Sequence, residues 1–157
     1  MLKRTSIKHI NKLLEKNSSW NILDVGCGYR AHPKATIIAD KQNFFDFYKG
    51  RKFIQIKDKV LPFKDKEFDF VIASHVIEHV EDFEFFIKEL ERISSKGYIE
   101  LPSRLGDNLV FENKTDHIWW CFNTSQTISK RVSKPMNYII FMSYSFNPFI
   151  DRSRCRV

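Results

Sequence analysis

Glycine is scarce in this sequence, with 5 copies in 157 residues against 15 phenylalanines. An apolar fraction of 43% with so little glycine excludes a disordered chain and predicts an aromatic-rich core. Cysteine is scarcer still. Cys27, Cys121 and Cys155 are odd in number, and their spacing suggests neither a disulfide framework nor a zinc pair. No apolar run is long enough to cross a bilayer. The N-terminal stretch MLKRTSIKHINKLLEKN is basic but lacks the apolar centre of a signal peptide, so a cytoplasmic protein is expected. Repeats, linkers and low-complexity segments are missing too, which predicts a single domain over residues 1–157 with a core of its own. Acidic residues are outnumbered, 19 against 26, for a net charge of +7. The lysines and arginines are scattered, which reads as a solvated surface more than as a nucleic-acid footprint. The densest basic stretch is DRSRCRV, with Arg152, Arg154 and Arg156.

The chain does have short apolar runs at regular intervals. Ile7, Ile10, Leu13 and Leu14 are spaced for an amphipathic helix over residues 5–17. Strands are predicted at 20–28 (WNILDVGCG), 35–40 (ATIIAD), 52–58 (KFIQIKD), 68–74 (FDFVIAS) and 98–103 (YIELPS). Between the last two, residues 81–97 read as a helix with Phe83, Phe86, Ile87, Leu90 and Ile93 on one face. Glu81 and Asp82 at its start and Lys96 at its end suit the helix dipole, and Gly97 suits the residue after the last turn. Strands alternating with helices and loops predict an α/β fold with a mostly parallel sheet covered on both faces. After residue 103 the pattern weakens: a loop or lid through RLGDNLVFENKTDHIWW, a short helix over 124–133 capped by Thr124, and a sixth strand over 137–146 are the expectations.

LDVGCG is a strand running straight into a Gly-x-Gly turn. Ligands of open parallel sheets bind at the carboxyl ends of the strands. Gly26 and Gly28 would remove side chains where a ligand approaches the backbone. Asp24 could accept a hydrogen bond from a cationic ligand group. Asp40 closes the second run and Asp58 the third, where carboxylates can take the hydroxyls of a ribose and an adenine amine. Each feature alone is weak; their succession after a glycine-rich first turn is specific.

With these pieces in order, the sequence resembles the class I S-adenosylmethionine (SAM) dependent methyltransferases. ILDVGCG matches the family's first motif, IIAD the acidic second, KDKVLPFKDKEFDFVIASHVIEHVED the third and fourth, and KGYIELPS the fifth strand. The resemblance implies a Rossmann-like sheet and SAM as cofactor. It implies that Asp24, Val25, Gly26, Cys27 and Gly28 wrap the methionine part, that Asp40, with Lys41 next to it, binds the ribose, and that Asp58 binds the adenine. Ser74 and His75 would lie beside the cofactor. DHIWWCFN, with His117, would close over the substrate side. The sequence departs from the family at Arg30, where a small residue is usual, and in the loop GYRAHPK, which contains His32–Pro33 and replaces a helix. A sheet with fewer strands than the family's usual one is expected, shortened at the C-terminal end.

The decapeptide ASHVIEHVED contains His75, Glu78 and His79, an H-x-x-E-H signature shared with some zinc peptidases. Those enzymes carry both histidines on one helix, whereas here a strand precedes His75, so no metal is expected. His79 could instead serve as a general base, or simply pack in the turn; His117 with Trp119 and Trp120 could bind a substrate or bury a lid. Cys27 reads as a tolerated small residue. The expected function is methyl transfer to an oxygen or nitrogen of a small molecule. A degenerate SAM-binding module and an RNA or protein methyltransferase are the alternatives. The missing N/D-P-P-Y/F tetrapeptide, replaced by SHVI, weighs against base methylation.

Overall fold

The computed structural model describes residues 7–102 and three short segments at 119–121, 127–130 and 138–139. Five parallel strands form one sheet: β1 (Ile22–Val25), β2 (Ile37–Asp40), β3 (Lys52–Gln55), β4 (Phe70–Ser74) and β5 (Gly97–Glu100), in the order β3-β2-β1-β4-β5. The order reverses between β1 and β4, so the crevice outside their carboxyl ends is where a ligand belongs.

Alternation along the strands decides which helix covers which face. Leu23, Val25, Ile37, Ala39, Val71, Ala73 and Ile99 pack with Phe83, Phe86, Leu90 and Ile93 of α2 (Phe83–Ile93). The intervening residues Ile22, Ile38, Phe70, Ile72 and Tyr98 pack with Ile10 and Leu14 of α1 (Ile7–Lys16). Both faces are dry, which explains why the strands read as continuous apolar runs instead of alternating ones.

The helix and strand boundaries are tighter than the sequence pattern suggests. α2 starts at Phe83, with the Asp82 carboxylate accepting from the Phe85 N–H at 3.1 Å. It ends at Ile93 with an extended Ser94, and Gly97 opens β5 instead of closing the helix. The cation at the helix end is Lys66, in a left-handed turn (φ 53°), whose Nζ donates to the carbonyls of Glu91 and Ser94. Lys96 stacks over the Trp20 ring at 4.6 Å.

Three expectations for the chain after residue 103 are corrected. Residues 127–130 form a strand, β7 (Thr127–Lys130), where a helix over 124–133 is predicted. Its β-branched Thr127 and Ile128 gain antiparallel partners in β6 (Trp119–Cys121) and β8 (Tyr138–Ile139), and pairing overrides the weak helical pattern. β6 itself is strand where a loop or lid is predicted. β8 belongs to this separate three-stranded sheet and is not a sixth strand of the parallel one. His117 and the basic C-terminal arginines lie outside the described residues.

Arg92 fixes the chain that enters β4. Its five N–H donors are all used: Nε and Nη2 on Glu89 at 2.8 Å each, Nη1 on the Phe63 carbonyl (2.7 Å) and Asp65 (2.9 Å), and Nη2 on the Leu61 carbonyl (3.0 Å). Glu89, 7% exposed, also accepts from the Leu61 N–H at 2.8 Å. Hydrogen bonding to Arg92 holds the Glu89 carboxyl below its ordinary range. Removing the guanidinium strands a buried carboxylate. Arg92→Ala is expected to cost about 3 kcal/mol in urea unfolding, and Arg92→Lys to recover less than half of that, because an ammonium cannot reproduce the fork.

Candidate active site

The polar residues of the sheet collect at its carboxyl edge on the α1 face. Asp24, Asp40, Ser74 and Glu100 have the same strand parity as Ile22, Ile38, Ile72 and Tyr98, so their side chains project to that face. The registers Val25↔Ala39 and Asp24↔Ile72 bring Gly26 level with Asp40 on one side and Ser74 on the other. Ser74 pairs with Glu100, and its hydroxyl donates to the Glu100 carboxylate at 2.7 Å.

The glycine-rich loop is held from four directions. The Gly26 N–H donates to the Ala39 carbonyl at 2.8 Å. The Gly28 N–H donates to Asp40 Oδ2 at 2.9 Å, and the Gln42 N–H donates to Asp40 Oδ1 at 2.9 Å. The His32 N–H donates to Asp24 Oδ2 at 2.6 Å. Tyr48 donates its hydroxyl to the Gly28 carbonyl (2.7 Å) and accepts from the Ala31 N–H (3.0 Å), while Arg51 donates to the carbonyls of His32 and Ala35, each at 2.9 Å. The short loop containing His32–Pro33 therefore gets from side-chain bonds the order that a helix would have provided.

Gly26 is required by close packing. Its φ is +69°, and a Cβ there would lie 2.3 Å from a Val76 methyl. At Gly28, with φ +46°, an added Cβ meets nothing within 4 Å. The expectation that both glycines clear space for a ligand is thus corrected at Gly26, where Val76 fills the space. The signal that finds this contact is tertiary, since Val76 is 50 positions away in sequence.

Asp24 is 4% exposed, and burial pushes its carboxyl up to about 6, against the lowering effects of the His32 N–H and the Arg51 charge. A carboxylate held this way at a strand's carboxyl end is a typical mark of a functional site. Asp40 is also buried, and each of its oxygens accepts one backbone N–H, leaving lone pairs for further donors. Burial first, and then the charges of Asp40 and Asp24, push the Cys27 thiol up to about 12, so Cys27 is not a nucleophile at neutral pH. Lys41 is exposed, and its carbonyl accepts from Gln55 Nε2 at 3.2 Å. Asp58 does not end β3: the strand stops at Gln55, and Asp58 lies three residues further on, exposed in a bend. The polar Lys57–Asp58–Lys59 stretch has no apolar partner to keep the strand running.

The H-x-x-E-H residues divide over a strand end and a single 3-10 turn, Ile77–His79. His75 follows β4 directly, with a left-handed backbone (φ 56°) and a half-exposed side chain; Glu78 is buried and His79 exposed. They do not share one helix face. Strand β6 lies next to this turn.

Residues 23–99 match the family model described as a methyltransferase domain. The match spans just under half of the chain, and the five-stranded parallel sheet has the Rossmann-like fold of such domains. The fold agrees with that of a SAM-dependent methyltransferase from Thermotoga maritima, at 24% identity and a TM-score of 0.52, over 67% of this chain and 58% of that one. A protein from Pyrococcus horikoshii is similar over 88% of this chain and 87% of its own, at 17% identity and a TM-score of 0.49. A Bacillus protein is similar over 59% and 50%, at 22% identity and a TM-score of 0.45. The chain thus spans little more than half of the Thermotoga methyltransferase. No curated protein matches its sequence. Among the described residues, no helix is long and apolar enough to cross a membrane.

Two outcomes follow for the glycine-rich loop. Gly26→Ala is expected to cost about 2–4 kcal/mol from overpacking and backbone strain. Adding Val76→Ala should return part of that loss, a non-additivity visible in a double-mutant cycle of urea unfolding. For Asp24, a folded-state pKa of about 6 against an ordinary value of 3.8 means that the folded state holds its proton more tightly than the unfolded one. Stability therefore falls as pH rises from about 4 to about 6 and stays reduced above it. Asp24→Asn, which keeps an acceptor for the His32 N–H, should melt higher than the parent protein at pH 8, by on the order of 1–3 kcal/mol, and gain nothing at pH 3.5.

Proposed function

We propose that this protein transfers the methyl group of SAM to an oxygen or nitrogen of a small-molecule acceptor. The observation that carries the reading is the pair of buried carboxylates, Asp24 and Asp40, flanking a pinned glycine loop at the switch-point crevice of a methyltransferase domain. Their chemistry fits the cofactor. Asp24 is a buried acceptor for a cation, and Asp40 has lone pairs free for the two ribose hydroxyls. Asp24, Val25, Gly26, Cys27 and Gly28 are the proposed cradle of the methionine part. Lys41 follows Asp40 on the ribose side, Asp58 is the proposed partner of the adenine amine, and Ser74 and His75 border the reacting centre. His79 and His117 are proposed on the acceptor side.

When bound, SAM supplies an electrophilic methyl group on a sulfonium. The chain's own contribution is then orientation. The backbone of the glycine loop is immobilised before any ligand arrives, so little ordering remains to be done on binding. Asp24 matches the cofactor's positive charge, and such a charge draws its proton off near neutral pH.

Calorimetric titration with S-adenosylhomocysteine tests this reading. Micromolar binding is expected. Asp40→Ala should weaken it by tenfold or more, which is about 1.4 kcal/mol or greater, with thermal melts confirming that the variant is folded. A folded parent protein that does not bind S-adenosylhomocysteine would sink the enzyme reading.

A further inference from the structure

Glu78 is 1% exposed, yet neither carboxylate oxygen accepts a hydrogen bond from any described group. A buried, unsatisfied carboxylate is costly and calls for an explanation. Among the described residues its ion-pair partner is His75, whose Nδ1 lies 3.2 Å from Oε1. His75 is itself anomalous: a non-glycine residue at φ 56°, in the first position after β4. Its backbone N–H donates to the Glu100 carbonyl at 2.9 Å, which locks that conformation in place. Backbone strain of this kind gathers at functional sites. Here it holds a half-exposed imidazole just past the carboxyl end of β4, with Nδ1 against a buried carboxylate.

We propose that His75 and Glu78 form a base dyad, in which Glu78 holds the proton on Nδ1 and His75 Nε2 takes the proton of the methyl acceptor. This rests on the methyl-transfer reading above and deepens it. Glu78 is a positioning residue, and His75 is the group that meets the acceptor. As the acceptor oxygen bonds to the methyl carbon, the carbon–sulfur bond breaks and its electron pair stays on sulfur. The acceptor's proton passes to Nε2, and the imidazolium later releases it to water. A hydroxyl acceptor needs such a base, because its oxygen is a weak nucleophile while protonated. Among the described residues, two carboxylates act on the imidazole, Glu78 from the 3-10 turn and Glu100 from β5, the latter also accepting from the Ser74 hydroxyl. The Glu78 carboxylate, opposed by burial and helped by Glu100, holds the imidazole above its ordinary range. The basic form of His75 is therefore present above that raised value and lost below it.

Nitrogen-15 NMR of histidine-labelled, cofactor-free protein reads the dyad directly. The neutral form of His75 is expected to carry its proton on Nδ1, and its titration to lie above about 6.5. In Glu78→Gln the titration should move to lower pH and the tautomer preference should relax. Saturating S-adenosylhomocysteine should shift the His75 resonances. A neutral His75 protonated on Nε2 in the parent protein would overturn the proposal without any variant. So would an unchanged titration in a folded Glu78→Gln protein. Binding of S-adenosylhomocysteine with His75 unaffected overturns the dyad and leaves methyl transfer standing. Failure to bind overturns both.

Discussion

The short loop between β1 and β2 can exist only because two buried carboxylates and two side chains from the β2–β3 connection hold its backbone. Asp40 takes the Gly28 N–H, Asp24 takes the His32 N–H, Tyr48 bridges Gly28 and Ala31, and Arg51 ties down His32 and Ala35. A helix would have satisfied those groups internally. Without one, the polar side chains carry the task, and the carboxylates that hold the loop are also the ones left at the ligand edge. Structure and site are the same bonds.

The sheet makes this economical. Because successive side chains alternate between faces, a strand that buries Ile22, Ile38, Ile72 or Tyr98 against α1 presents its next residue of that parity at the carboxyl end. Those residues are Asp24, Asp40, Ser74 and Glu100. One parity thus delivers core packing along the strand and polar chemistry at its tip. The opposite parity stays apolar to the end and supports α2, which leaves the Ile77–His79 turn resting on that core through Ile77 and Val76.

Buried charge is handled in two opposite ways in the same molecule. Glu89 is buried beside Arg92 with every donor of the guanidinium engaged, and it serves to fasten a loop. Glu78 is buried more deeply, and among the described residues its ion-pair partner is the imidazole of His75. The first arrangement is satisfied and stabilising. The second carries a desolvation cost that packing elsewhere must offset, which is the usual relation between a core and a site. Asp24 lies between the two: it has one strong hydrogen bond and a carboxyl pushed up by burial.

Residue order alone determined the five parallel strands, the two helices, the glycine turn, and the carboxylates Asp24 and Asp40, because both faces of the sheet are buried and each strand is a contiguous apolar run. It also placed the H-x-x-E-H residues on a strand-to-helix connection, since FDFVIAS has no helical period. It misjudged residues 127–130, where antiparallel partners supplied from elsewhere made a strand of part of a weakly helical stretch, and it carried β3 on to Asp58 although pairing stops at Gln55. Only the tertiary structure decided that Gly26 answers to Val76, that Lys66 caps α2, that Arg92 gathers Glu89 and Asp65, and that Glu78 is buried under His75. Those contacts join segments distant in sequence or turn on a single left-handed residue, and neither periodicity nor composition carries information about distances of that kind.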